Sequence, residues 1–79
     1  MTIKEFLRSE IEKVAFREVS DTESIAKSRL LDSITLIDLA VAIEDEYKIK
    51  IPFTEITEEN FDTVDLIAAY LERRGVLSV

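Results

Sequence analysis

The sequence predicts an all-α protein, a small irregular four-helix bundle with a long loop between its first and second helices. Apolar residues recur at three-to-four spacing in separate stretches, the period of a helix with one buried face. The 79 residues include one Gly and one Pro, few of the sharp-turn residues that a meandering sheet uses. A hydrophobic share of 47% is enough for a folded core. The length suits one domain, read as residues 1–79, and leaves little room for a deep enclosed active site.

The first helix is expected to start at Thr2, with Glu5 three residues on as the partner of a capping box. Ile3, Phe6, Leu7, Ile11 and Val14 form its apolar stripe, and it is expected to end near Phe16 or Arg17. Residues 18–31, "EVSDTESIAKSRLL", have no helical period and read as a connecting loop, pinned to the core by Ile25, Leu30 and Leu31. A loop this long in so small a domain is often functional. The second helix runs from about Ser33 to Tyr47, capped by Asp32 or Ser33, and stops before "KIKIP", where Pro52 imposes extended backbone. A short third helix fits within "TEITEEN". The last begins at Asp62 or Thr63, with Asp62 and Asp65 favouring its dipole and Val64, Ile67, Ala68 and Leu71 forming its buried stripe. Arg73, Arg74 and Gly75 supply terminal cations and a left-handed stop.

Several functions are disfavoured by composition. The chain contains no Cys, hence no thiol nucleophile or thiolate metal site, and no His, the commonest general base and zinc ligand. It has no Gly-rich phosphate loop and no acidic loop with calcium-binding spacing. An enzyme in its own right is therefore not expected. "MTIKEFLRSE" lacks a secretory pattern, which predicts a cytoplasmic protein. Net charge is −7 and polarised: residues 1–31 hold six acids and six bases, whereas residues 32–65 hold ten acids and two bases. Such a surface repels nucleic acid and anionic membranes. It suits basic protein surfaces that associate rapidly.

At about 100° per residue, Leu36, Leu39, Ala40, Ile43 and Tyr47 make a complete core face on the second helix. Ile34, Ile37 and Val41 form a further stripe roughly opposite, edged by Asp38 and Asp45 on one flank and Glu44 on the other. Polar residues normally occupy that position. Two readings compete: the 18–31 loop buries the stripe, or the stripe stays open as a docking strip with an apolar centre and acidic rim. Ser33 is open in the same way. A serine at a helix start is usually a cap, but Asp32 can cap this helix and leave the hydroxyl free. A phosphate there would meet unpaired backbone N–H groups at the positive end of the helix dipole. With no base to activate it, Ser33 suits modification by another enzyme better than nucleophilic catalysis.

"LLDSITLIDLAVAIEDEYKIKIP", residues 30–52, resembles the segment around the prosthetic-group serine of acyl carrier proteins and of aminoacyl and peptidyl carrier proteins. The resemblance rests on Asp32-Ser33-Ile34, Glu44-Asp45-Glu46-Tyr47 and Ile49-Lys50-Ile51-Pro52, with "ITEENFDTVDLIAAYLERR" similar to the family's third and fourth helices. It is close over residues 30–74. It implies an acyl-carrier-like bundle in which Ser33 receives 4′-phosphopantetheine from coenzyme A through a separate phosphopantetheinyl transferase, which Asp32 contacts. The arm's thiol then carries a thioester that the cysteine-free chain cannot hold itself. Ile34, Ile37, Asp38, Val41, Glu44 and Asp45 would dock acyl- or aminoacyl-activating and acyl-transferring enzymes through their basic patches. A monomer is expected. Leu39, Ile43, Ile51, Ile67 and Ala68 would shelter a fatty chain, if the carrier takes one.

Two departures bear on the cargo. Leu30 stands where many fatty-acid carriers have Gly, and the "ITEENFDTV" segment is longer than in their usual form. Both traits look more like stand-alone carriers of aminoacyl or specialised acyl groups, and the expected role lies in fatty-acid or in specialised acyl or aminoacyl metabolism. The alternative is an unmodified acidic helical adaptor that grips a partner through the same stripe.

Overall fold

A computed structural model describes residues 2–28 and 33–76, and every regular element among them is helical. The order is α1 (Ile3–Ala15), α2 (Ile25–Ser28), α3 (Ser33–Tyr47), a 3-10 turn (Phe53–Glu55), α4 (Glu58–Phe61) and α5 (Val64–Arg73). The expected four helices are α1, α3, α4 and α5, and α2 is an additional single turn. No helix among the described residues is long and apolar enough to cross a membrane.

Local chemistry sets the ends of the long helices. Thr2 and Glu5 form the expected capping box: the Glu5 N–H donates to Thr2 Oγ1 at 3.1 Å, and the Thr2 N–H donates to Glu5 Oε1 at 3.3 Å. Thr63 caps α5 by accepting the Leu66 N–H at 3.0 Å. Gly75, at φ 89°, ends α5 in a Schellman turn. In it the Gly75 N–H donates to Glu72 O and the Val76 N–H to Leu71 O, both at 3.0 Å. Val76 and Leu71 are both buried, the apolar contact that completes this motif.

α1 and α3 stop differently. Each is followed by a non-glycine residue in the left-handed region, Phe16 at φ 60° and Lys48 at φ 58°. Their N–H groups bond the carbonyls four residues back, Phe16 to Glu12 at 2.9 Å and Lys48 to Glu44 at 2.8 Å. The two glutamates act again through their side chains. Glu12 Oε2 accepts the Val19 N–H at 3.1 Å, and Glu44 Oε2 accepts the Ile51 N–H at 2.6 Å. The same clasp thus closes both helices and turns a β-branched residue, Val19 or Ile51, into the core.

α1 packs against α3 and α5, and α4 against α5. The core joins Ile3, Leu7 and Ile11 of α1, Leu39, Ala40 and Ile43 of α3, Phe61 of α4, and Val64, Ile67, Ala68, Tyr70 and Leu71 of α5. Each fully buried side chain of this size contributes about 1.5–3 kcal/mol, so truncating Ile43 to Ala costs about 2–5 kcal/mol. Val14, expected to continue the α1 stripe, is instead half exposed. Tyr70 is fixed by its hydroxyl, which donates to Glu55 and accepts from Arg74 Nη1 at 2.7 Å. Arg74 also donates to the Lys50 carbonyl at 2.6 Å, tying the end of α5 to the α3–α4 connection.

The segment between α1 and α3 is fastened by contacts distant in sequence. Ile25 is buried as expected, Val19 is buried as well, and Leu30 and Leu31 lie outside the described residues. The Ile25 N–H donates to the Asp62 carbonyl at 2.6 Å, and Ser24 Oγ donates to Asp62 Oδ1 at 2.7 Å. Asp21 pairs with Arg8, while its carbonyl accepts the Asp65 N–H at 3.0 Å. Asp62 therefore ends α4 and holds α2, rather than standing in the first turn of the last helix.

Candidate functional site

α3 has two apolar faces, and the structure treats them oppositely. Leu39, Ala40 and Ile43 are buried, with Leu36 and Tyr47 packed against the same core. Tyr47 meets Phe6 of α1 edge to face, with centroids 5.6 Å apart and planes at 83°. Its removal from water pushes its phenol above the usual tyrosine range. On the other side Ile34 is 72% exposed, Ile37 38% and Val41 47%. The described part of the α1–α3 segment does not cover them.

Charge surrounds this open stripe unevenly. Asp38 and Asp45 are exposed. Neither belongs to an ion pair among the described residues, whose carboxylate partners are Asp65, Asp21, Glu10, Glu23 and Glu55. Glu44 is half-buried and its carboxylate is engaged with Ile51, a structural task that a helical projection cannot foresee. Lys48 and Lys50 are exposed just beyond the helix.

The stripe begins one residue after Ser33, which is the first residue of α3. Asp32 lies outside the described residues, and Ser33 is described through its backbone alone. The first turn of α3 contains no acidic residue, unlike those of α1, α4 and α5, which carry Glu5, Glu58 with Glu59, and Asp65. The head of a 15-residue helix is the positive end of its dipole, and no acidic residue stands in its first turn. A phosphopantetheine joined to a hydroxyl at this position fits those charges. No group of three or more metal-ligating side chains occurs among the described residues.

The residues named as a fatty-chain shelter, Leu39, Ile43, Ile51, Ile67 and Ala68, are packed shut in the core. A cavity of about 130 Å³ lies elsewhere, between α1 and α3. Val14 and Ile11 line its α1 wall, and Thr35, Leu39 and Ala42 its α3 wall. Asp38 separates it from the exposed stripe, being counted in both. Helical periodicity does not reveal this groove, because Val14 reads as one more core position.

Known proteins match this chain over most of its length. The family model for the phosphopantetheine attachment site matches residues 3–71. The chain is 30% identical over 69 residues to the D-alanyl carrier protein of Streptococcus uberis, covering 85% of this chain and 87% of that protein. It is also 30% identical over 74 residues to the D-alanyl carrier proteins of Streptococcus equi subsp. zooepidemicus and of Streptococcus equi subsp. equi, covering 91% of this chain and 94% of each.

Proposed function

The chain belongs to the phosphopantetheine attachment-site family of carrier proteins, and on that premise we propose that it is a non-catalytic, single-domain carrier whose 4′-phosphopantetheine arm is joined to Ser33. In the transfer the serine oxygen bonds the pantetheine-bearing phosphorus of coenzyme A and gives up its proton. Adenosine 3′,5′-bisphosphate leaves. The reacting base belongs to the transferase, since the chain has no His to supply one. Once attached, the arm supplies a thiol for thioester formation, and the protein holds and presents the thioester.

The observation that carries this reading is the open stripe of Ile34, Ile37 and Val41 starting directly after Ser33. Asp38 and Asp45 give it an acidic rim for a basic partner surface, with Asp32 meeting the transferase. Glu44 belongs to this set through its charge and braces the end of the helix through its carboxylate. The partners are the transferase and the enzymes that activate the cargo and accept it. The cargo is a small aminoacyl group rather than a fatty chain. Two observations support that choice: the closed inner face of α3 and the D-alanyl carriers among the relatives. The carrier works as a cytoplasmic monomer.

Mass spectrometry after incubation with coenzyme A and a broad-specificity transferase tests the proposal. The expected result is the gain of one phosphopantetheine, absent in Ser33→Ala. An unchanged mass, or a gain that survives Ser33→Ala, overturns it. Partner binding that proceeds equally well without the arm would support the adaptor instead.

A further inference from the structure

We propose that the groove between α1 and α3 seats the small, ammonium-bearing end of the loaded arm, an assignment that rests on the carrier reading above. Size makes the first argument. An apolar cavity of roughly 150 Å³ takes a molecule such as benzene. The groove, at about 130 Å³, therefore matches a short acyl or aminoacyl group in size.

Position makes the second. The groove opens on the helix that begins at Ser33, and Thr35 on its wall is two residues away. At about 1.5 Å per residue, Asp38 lies roughly 7.5 Å and Ala42 roughly 13.5 Å along the axis from residue 33. An extended pantetheine, with two amide-linked units and a cysteamine end, spans that interval.

Charge makes the third. Lys13 is spent on Glu10 at the rim, with Nζ to Oε2 at 2.6 Å. Asp38, at the opposite edge, has no ion-pair partner among the described residues, so the groove carries a net negative rim. An α-ammonium set there faces Asp38 while the methyl or other small side chain meets Val14, Leu39 and Ala42. An exposed pair of this kind is weak. The cargo is therefore shielded between encounters yet released to an enzyme that docks along the adjoining stripe.

Amide NMR spectra of the carrier bearing the free-thiol arm are compared with those bearing a non-hydrolysable amide-linked alanyl arm, with mass confirming attachment in each sample. The expected shifts fall on Val14, Thr35, Leu39 and Ala42, and are lost in Ala42→Leu, which fills the groove. Val14→Phe fills it from the more exposed side and gives a second reading should Ala42→Leu fold poorly. Asp38→Asn is expected to diminish the shifts for an alanyl arm but not for a neutral propionyl arm. Shifts confined to residues 33–37 on an attached arm overturn the proposal. So do equal shifts from an octanoyl arm, or groove shifts that appear only when the transferase is added, which would make the groove a partner contact. A chain that accepts no arm overturns the carrier reading itself, a distinct result seen in the mass alone.

Discussion

The carboxylate of Glu44 holds the backbone N–H of Ile51, seven residues further along the chain, at 2.6 Å. Together with the Lys48 N–H on the Glu44 carbonyl, this bond makes one residue the clasp for the whole turn after α3. Hydrogen bonds to charged groups contribute about 1.5–3 kcal/mol when well buried, and partial exposure places this one near the lower end. Glu44→Ala is expected to cost about 1–2 kcal/mol in urea denaturation with an unchanged slope, and Glu44→Gln less, because an amide oxygen still accepts. Glu12→Ala, which breaks the matching bond to Val19, is expected to behave alike.

Backbone strain at the ends of α3 and α5 predicts substitutions of opposite sign. Lys48 occupies φ 58° without a glycine's freedom, so Lys48→Gly is expected to stabilise the protein by about 0.5–1 kcal/mol. Gly75 occupies φ 89° with nothing within 4 Å of where a Cβ would stand. Gly75→Ala therefore loses stability through conformation alone, by about 1 kcal/mol. Thermal melts distinguish the two, since 1 kcal/mol moves the Tm of a domain this size by roughly 4–8 °C.

The two pH limits of stability have separate origins. Glu5 sits below its ordinary 4.5 because its carboxylate accepts the Thr2 backbone N–H and faces the Thr2 hydroxyl. A depressed carboxyl contributes above its unfolded value, so this contribution is present above about pH 4.5 and is lost as pH falls through the folded value. Tyr47 and Tyr70 are raised above 10.0, chiefly by burial, and Lys4 above 10.5 by its bond to Asp65. Raised groups contribute fully below their unfolded values and lose that contribution as pH rises through the folded ones. The stability difference between wild type and Glu5→Gln is expected to vanish in acid. Phenolate absorbance in the native state is expected to lag that of free tyrosine in base.

Docking along α3 predicts a separation of binding from folding. Ile37 and Val41 are too exposed to matter much to stability, so alanine at either is expected to change it by no more than about 0.5 kcal/mol. If both are interface anchors, each alanine weakens transferase binding by about 1 kcal/mol, roughly a five-fold rise in KM with kcat retained. Added salt raises KM further by screening Asp38 and Asp45.

The fold was legible wherever a local rule governs. Thr2 with Glu5, Thr63, Gly75 and the core face from Leu39 to Tyr47 all follow from spacing within one or two turns. The open stripe of Ile34, Ile37 and Val41 was legible as a surplus face, though its exposure depends on where the neighbouring segment lies. α2 was not legible, because a single turn without an apolar period is held by Asp62, far along the chain. The roles of Glu44 and Glu12 were hidden for a related reason. Each bond exists only after the chain has reversed through a left-handed residue that is neither Gly nor Asn.

Asp21 and Ser24 do more than decorate a connection. One braces Arg8 and the first turn of α5; the other grips the end of α4. A chimera that swaps this connection for one from a different carrier must transplant both anchors, or the graft loses the Ser24 bond to Asp62 and the Asp21 bond to the Asp65 amide. Val19 and Ile25, buried on either side of this pair and bonded to Glu12 and Asp62, fix the spacing further, so the run from Val19 to Ile25 transfers as one unit.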